Sequence, residues 1–269
     1  MNFRDNALEV LQQTSRTFYI PISRLPEQLL DSVASAYLCM RAIDEVEDHP
    51  DIDNTTKAEI LRQMSADLQA GVAGIAPENF CRGIFKYEHI LPEVSVRLGE
   101  WSLLAPESIA PRIWDSTAAM ADRMAYWAER NWKIQTQSDL DHYTFSVAGA
   151  VGLLLSDLWA WYDGTQTNRT QAIGFGRGLQ TVNILRNQSE DKSRGVRFFP
   201  EDWTTEQMFF YARNNLALAD QYTQSLPKGP ALDFCKIPLA LANGTLDILS
   251  LGKEKLTRSD VMHLVEQAS

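Results

Sequence analysis

Apolar residues in this chain return at steps of three and four almost from end to end, and no alternating segment of convincing length interrupts them. That regularity admits helices and leaves little room for a sheet. Between Pro26 and Asp48 the recurring positions are Leu29, Leu30, Val33, Ala36, Tyr37, Met40 and Ile43. Pro26 suits a first helical position, and Pro50 enforces a stop. The pattern predicts further helices over 54–71, with Asn54 as N-cap, over 112–133, and over 139–162, which is apolar on nearly every side as a central buried helix would be. Four more are predicted over 169–191, 205–226, 232–251 and 259–266. Pro106-Glu107 and Pro227-Lys228-Gly229-Pro230 punctuate the run, and both read as helix–helix loops. With no internal repeat and no low-complexity linker, the expectation is one all-α domain over 1–269.

Charge narrows the function. The 269 residues carry a formal net charge of −10, with a pI of about 4.9. A general nucleic-acid binder needs a basic face, so no nucleic-acid partner is expected. An anionic small molecule stays compatible where metal ions and local arginines reverse the field inside a pocket. Cys39, Cys81 and Cys235 have no metal-ligand spacing and read as reduced, partly buried thiols of a cytoplasmic protein. The first residues lack the charged-then-apolar pattern of a signal peptide. The most apolar stretch, 147–161, is interrupted by Ser156 and Asp157. It reads as too short to span a bilayer, and no membrane anchor is expected.

The helix that begins near Pro26 ends in Asp44-Glu45-Val46-Glu47-Asp48. Asp44 and Asp48 are four apart and share a face, so their carboxylates are neighbours. Three like-charge pairs arise, Asp44–Asp48, Asp44–Glu47 and Glu45–Asp48, each costing roughly 0.2–0.5 kcal/mol in an isolated helix. Acids in a last turn also oppose the helix dipole, by about 0.3–1 kcal/mol each when exposed. Helix stability alone argues against the cluster. A divalent cation removes the conflict, because magnesium takes carboxylate oxygens, keeps several waters and bridges to phosphates. The five residues taken alone fit better a solvated acidic helix end leading into the loop 49–53, because so short a pattern has many chance matches.

A second polar concentration lies at 178–191. Gln180, Asn183, Asn187, Glu190 and Asp191 recur at steps of three or four, while Leu179, Val182 and Leu185 are predicted to face the core. So many oxygen ligands and amides on an otherwise apolar helix are hard to explain by packing. Gly174, Gly176 and Gly178 precede them without a strand, and read as close helix packing rather than a nucleotide loop.

Five segments, in order, carry a resemblance. The run 37–48, with Tyr37, Arg41, Asp44 and Asp48, looks like the first aspartate-rich segment of the squalene/phytoene synthase family. The run 178–191, followed by Arg194-Gly195, resembles the second. Thr14-Ser15-Arg16-Thr17-Phe18 is similar to an N-terminal motif of that family, the run 143–149 with Gly152 to its central helix, and 234–238 to a segment near its C-terminal end. The resemblance spans nearly the whole chain and is closest in motif to squalene synthases.

The resemblance implies an isoprenoid-synthase helical bundle around a central cavity. It further implies a prenyltransferase that joins two prenyl diphosphates, farnesyl diphosphate first among them, head to head through a cyclopropyl intermediate. Asp44, Asp48, Asn187, Glu190 and Asp191 would be the magnesium-binding set. Arg16, Arg41 and Arg186 would meet diphosphate oxygens, where the guanidinium fork is useful. Ser15, Phe18, Tyr37, Gln180 and Asn183 would line the substrate cavity. Tyr143 would stabilise a cation by its π face or exchange a proton through its hydroxyl. Phe145 and Phe234 would wall a prenyl tunnel, and Gly149 and Gly152 would thin a helix so that a chain can pass. Squalene formation would also need NADPH, which no residue here establishes. Contact with a membrane surface and the oligomeric state stay open.

Two departures bear on the reaction. Asn187 stands where the family usually has the first aspartate of the second motif, and Val196 stands where a basic residue commonly follows Arg-Gly, with Arg197 displaced by one. An enzyme that ionises one prenyl diphosphate for hydrolysis, cyclisation or transfer is therefore a second reading. A non-catalytic prenyl-lipid binder is a third.

Overall fold

The computed structural model describes residues 2–15, 17–74, 81–193 and 195–268. Among them there is no strand, so the all-α expectation holds. The helices group into two compact units, one ending at Asn131 and the other beginning at Trp132.

The first unit contains α1 (Phe3–Ser15), α2 (Tyr19–Ser23), α3 (Glu27–Glu47), α4 (Asn54–Val72), α5 (Glu93–Val96), α6 (Leu98–Ser102) and α7 (Ala110–Glu129). Helix α3 starts behind Pro26, which sits at the N-cap, and its backbone ladder closes at Asp48, whose N–H donates to the Asp44 carbonyl. Leu29, Leu38, Ala42, Ile43 and Val46 are fully buried along it. Each large apolar side chain so buried contributes about 1.5–3 kcal/mol. The cap of α4 falls one residue before the predicted Asn54. Asp53, whose backbone is extended as an N-cap requires, accepts from the Thr55 and Thr56 amides at 3.0 and 3.1 Å. Helix α4 packs against α7, and Met64 and Leu68 on the one and Met124 and Trp127 on the other are buried.

The second unit contains α8 (Gln137–Thr144), a π-helical turn at Phe145–Gly149, α9 (Ala150–Asp163), α10 (Arg169–Ser193), α11 (Thr205–Ser225), α12 (Pro230–Ser250) and α13 (Arg258–Ala268). Thr136 and Asp139 form a capping box at the start of α8, and Gly164 ends α9 at a φ of 80°. In an uninterrupted α-helix Leu140, Thr144, Ala148, Val151 and Leu155 would share a face. The wider turn adds one residue, so the buried row passes from Leu140 and Thr144 to Gly149, Ser156 and Trp159. Ala148, Val151 and Leu155 are left half-buried. Leu154 and Leu158 are buried as well, and from Tyr143 to Tyr162 every residue is buried or half-buried, as expected of a central helix.

Its length also corrects the sequence reading. Gln137–Asp163 is continuous over 27 residues, long and apolar enough by length and composition to cross a membrane. Within its unit it packs on α10 at very short range. A Cβ on Gly176 would lie 2.0 Å from the Ala148 carbonyl oxygen, and one on Gly152 would lie 2.1 Å from the Ala172 carbonyl oxygen. Gly174 and Gly178 are pressed likewise against Leu218 and Leu216, so the glycine-rich run serves helix packing as predicted. Gly152 does the same, rather than opening a path for a chain. The three cysteines are free and buried.

Candidate functional site

Tyr37, Arg41, Asp44 and Asp48 fall at steps of four, three and four, so one face of α3 carries them all. The end of α1 lies against Tyr37, whose hydroxyl donates to the Thr14 carbonyl at 3.4 Å. The Phe18 ring is 6.3 Å from the Tyr37 ring. Ser15, Phe18 and Tyr37 thus lie near one another, while Arg16 lies outside the described residues. Two buried polar atoms in this group meet no described partner, Ser15 Oγ and Arg41 Nε. Arg41 Nη2 pairs with Glu45 one turn along, an acid that sequence reading gave no role of its own.

Asp44 is half-buried beside these groups. Desolvation pushes its carboxyl up to about 7; the Arg41 guanidinium opposes the rise, and the Asp48 and Glu45 carboxylates add to it. Among the described residues no three His, Cys, Asp or Glu side chains are grouped to hold a metal by themselves. Asp44 and Asp48 nonetheless fit magnesium, which takes one or two carboxylates and completes its shell with water and phosphate oxygens. The raised Asp44 carboxyl suits a site whose charge balance includes a cation. Orphaned donors at Ser15 and Arg41 suit an oxyanion.

The polar stripe on α10 is present but uneven. Gln180, Asn183 and Asn187 are half-buried, Arg186 and Glu190 are exposed, and Asp191 is 6% exposed. Val182 and Leu185 face the core as predicted, whereas Leu179 is only half-buried. Arg186 Nε donates to Asn187 Oδ1 at 3.2 Å. A cavity of about 510 Å³ is lined by Asp191 together with Gln188, Phe198, Phe199 and Trp203, but not by Asn187 or Glu190. Arg194 lies outside the described residues. The displaced Arg197 holds the loop behind it, its Nη2 reaching the carbonyls of Pro200, Glu201 and Trp203 at 3.4, 3.2 and 3.4 Å.

Tyr143 is 3% exposed and stacked on Phe198, with ring centroids 4.7 Å apart at 17°. One face of its ring is thereby occupied. Phe145 is half-buried, and Phe234 is buried against Trp159 at 5.5 Å as ordinary core. Sequence reading missed the polar group under Tyr143, formed by Asp141, Arg177 and Tyr211. The one available signal was Asp141, an acid inside the most apolar helix.

Residues 11–209 match the squalene/phytoene synthase family. The chain belongs to that family. The squalene synthase of Saccharomyces cerevisiae is 28% identical to it over 93% of this chain and 62% of the yeast protein. That of Botryococcus braunii is 30% identical over 89% of this chain and 57% of its own length, and that of Cyberlindnera jadinii 27% identical over 93% and 62%. The chain thus spans about three fifths of the length of these curated relatives. Among solved structures, the complex of TcSQS with the ligand E5700 superposes with a TM-score of 0.79 at 23% identity, covering 99% of this chain and 86% of that one. A dehydrosqualene synthase in complex with a ligand gives 0.67 at 19% identity, covering 98% and 94%. Both share its fold.

Proposed function

We propose that the chain is a magnesium-dependent prenyltransferase that condenses two prenyl diphosphates, farnesyl diphosphate the first choice, to squalene, presqualene diphosphate or a related head-to-head product. The observation that carries this reading is the α3 face, where a desolvated Asp44 and its neighbour Asp48 stand next to two buried donors without partners, Ser15 Oγ and Arg41 Nε. The squalene synthase relatives support it. It treats 1–269 as one isoprenoid synthase domain of cytoplasmic location.

In this reading Asp44 and Asp48 would hold magnesium on α3, and Asn187, Glu190 and Asp191 would hold magnesium on α10. Bound magnesium would neutralise the leaving diphosphate. Arg41 would turn its free Nε toward diphosphate oxygen while Glu45 fixes the other end of the guanidinium. Arg16 and Arg186 would add charge, and Ser15, Tyr37, Gln180 and Asn183 would supply hydrogen bonds. Apolar walls would exclude water from the carbocation. Tyr143 would act through its hydroxyl and through the ring face opposite the one that Phe198 covers.

Asn187 favours a second reading, ionisation of a single prenyl diphosphate, because the amide brings no charge to the second motif. Incubating the purified protein with farnesyl diphosphate and magnesium, with and without NADPH, and identifying products by mass spectrometry separates the two. Squalene or its cyclopropyl precursor is expected. Farnesol, a cyclic terpene or an aryl-prenyl product alone would overturn the head-to-head reading.

A further inference from the structure

The helix carrying Tyr143 widens immediately after it, and a widened helix leaves its carbonyls poorly matched to the next turn of amides. Three consecutive carbonyls at that point take side-chain donors. Thr144 Oγ1 donates to the Leu140 carbonyl at 2.7 Å, Arg177 Nη2 to the Asp141 carbonyl at 2.9 Å, and Ser146 Oγ to the His142 carbonyl at 2.7 Å. The Asp141 side chain is tied as well. Tyr211 Oη donates to Asp141 Oδ1 at 2.7 Å and lies 3.3 Å from Thr144 Oγ1, while Arg177 Nη1 stands 3.8 Å from the same carboxylate oxygen. Burial first, and the Asp141 hydrogen bond next, push the Tyr211 hydroxyl well above its ordinary value, so it remains a donor across the neutral range.

Tyr211 also reaches the other support of Tyr143. Its ring meets Trp203 edge-on at 5.8 Å, and Trp203 belongs to the Arg197-clamped loop that presents Phe198 to the Tyr143 ring. One side chain on α11 thus braces both the helical turn beneath Tyr143 and the loop stacked on it. We infer that Tyr211, acting with Asp141 and Arg177, is a positioning residue that sets where Tyr143 stands during the reaction. The inference rests on the catalytic reading of Tyr143 and adds to it the device that aims the side chain.

The test is a double-mutant cycle on the full chain, reading diphosphate release from farnesyl diphosphate with magnesium, alongside melting temperature. Tyr211→Phe is expected to lower kcat about tenfold to 10²-fold with KM unchanged, the loss that a displacement near 1 Å produces. In a Tyr143→Phe background the same substitution is expected to cause no further loss of kcat. Its effect on melting temperature is expected to be equal in both backgrounds, because a merely structural role follows stability. Asp141→Asn keeps the Oδ1 acceptor and is expected to hold kcat above that of Asp141→Ala. Wild-type kcat in Tyr211→Phe, or losses that multiply in the double variant, would overturn the positioning role while leaving Tyr143 catalytic. Wild-type kcat in Tyr143→Phe would remove the catalytic reading and this inference together.

Discussion

The two acidic segments share an i,i+4 frame and are held in place by different forces. On α3 the acids are crowded: Asp44 is desolvated, Asp48 sits at the C-cap against the helix dipole, and Glu45 is occupied by Arg41. Nothing in helix propensity favours that arrangement, and a cation does. On α10 the polar stripe rides on a helix fixed by contact, its glycines seated against the Ala148 carbonyl and the Leu216 and Leu218 side chains. There the groups are mostly amides, and only Asp191 is a buried acid. One segment is organised by charge and the other by packing. The same class of substitution should therefore fail differently in the two.

The largest effect is expected on the charged side. Asp44→Asn keeps the size of the side chain and removes only its charge, so the helical fold should persist while diphosphate release is lost. The fall should exceed the roughly 10–100-fold that loss of an outer-shell partner of a metal causes. Circular dichroism and turnover at limiting magnesium measure the two halves of that statement. Unchanged turnover would end the view of α3 as the charge-organised motif.

The packing side should break in stability first. Gly176→Ala places a Cβ 2.0 Å from a backbone carbonyl oxygen that has no flexible side chain to yield. Overpacking of this kind costs about 1–3 kcal/mol, read as a lower denaturant midpoint with the slope retained. Wild-type stability would mean that α10 is not set by contact with the π-helical turn.

What could be read from the chain follows the same division. Most of the long helices were legible because a 3.6-residue period records burial locally, though α1 and the short helices α2, α5 and α6 were not predicted. Both acidic motifs were legible because their members lie within a few turns of one another. The cap at Asp53 was missed by one residue because Asp53 and Asn54 are both good caps, and only backbone geometry chooses. The π-helical turn was not legible. Its extra residue leaves no mark in an apolar stretch, and the Asp141 carbonyl beside it is satisfied by Arg177 from another helix. Tyr211 and Asp141 lie seventy residues apart, so no local pattern joins them. The partition of the α10 stripe, with Asp191 turned to a cavity that Asn187 does not line, needed side-chain positions.

A subtler difference between the segments concerns pH. The Asp44 carboxyl is raised to about 7 in the folded chain, against about 3.9 when unfolded. Between these values the folded state holds a proton that the unfolded state has lost, so this group's contribution to stability is full below the unfolded value. It falls progressively as pH rises to about 7 and is level above that. In chelator, the melting temperature of wild type relative to Asp44→Asn should fall from pH 5 to pH 7 and then flatten. Magnesium needs the ionised carboxylate and should restore stability more at pH 8 than at pH 5.5. A difference between the two proteins that does not change with pH would place Asp44 in ordinary solvent.

The smallest and most discriminating change is at Asn187. Its Oδ1 accepts from Arg186 and can ligate magnesium or hold one of its waters, yet it brings no charge. If the packing-organised motif works with one charge fewer by design, Asn187→Asp should lower the magnesium concentration for half-maximal rate and raise the yield of the same product. The new carboxylate would sit beside the Arg186 guanidinium on a helix whose position is already fixed, so stability should change by less than about 1 kcal/mol. If the chain instead handles one prenyl diphosphate, added charge should strengthen metal retention without creating a head-to-head product, because the rest of the pocket would be shaped for one substrate. A magnesium titration paired with mass spectrometry of both proteins reads the two effects separately. Squalene or its cyclopropyl precursor from the wild type, in larger amount from the variant, would make the amide a weakened ligand in a two-substrate site. A product switch on adding the charge would show that Asn187 itself selects the reaction.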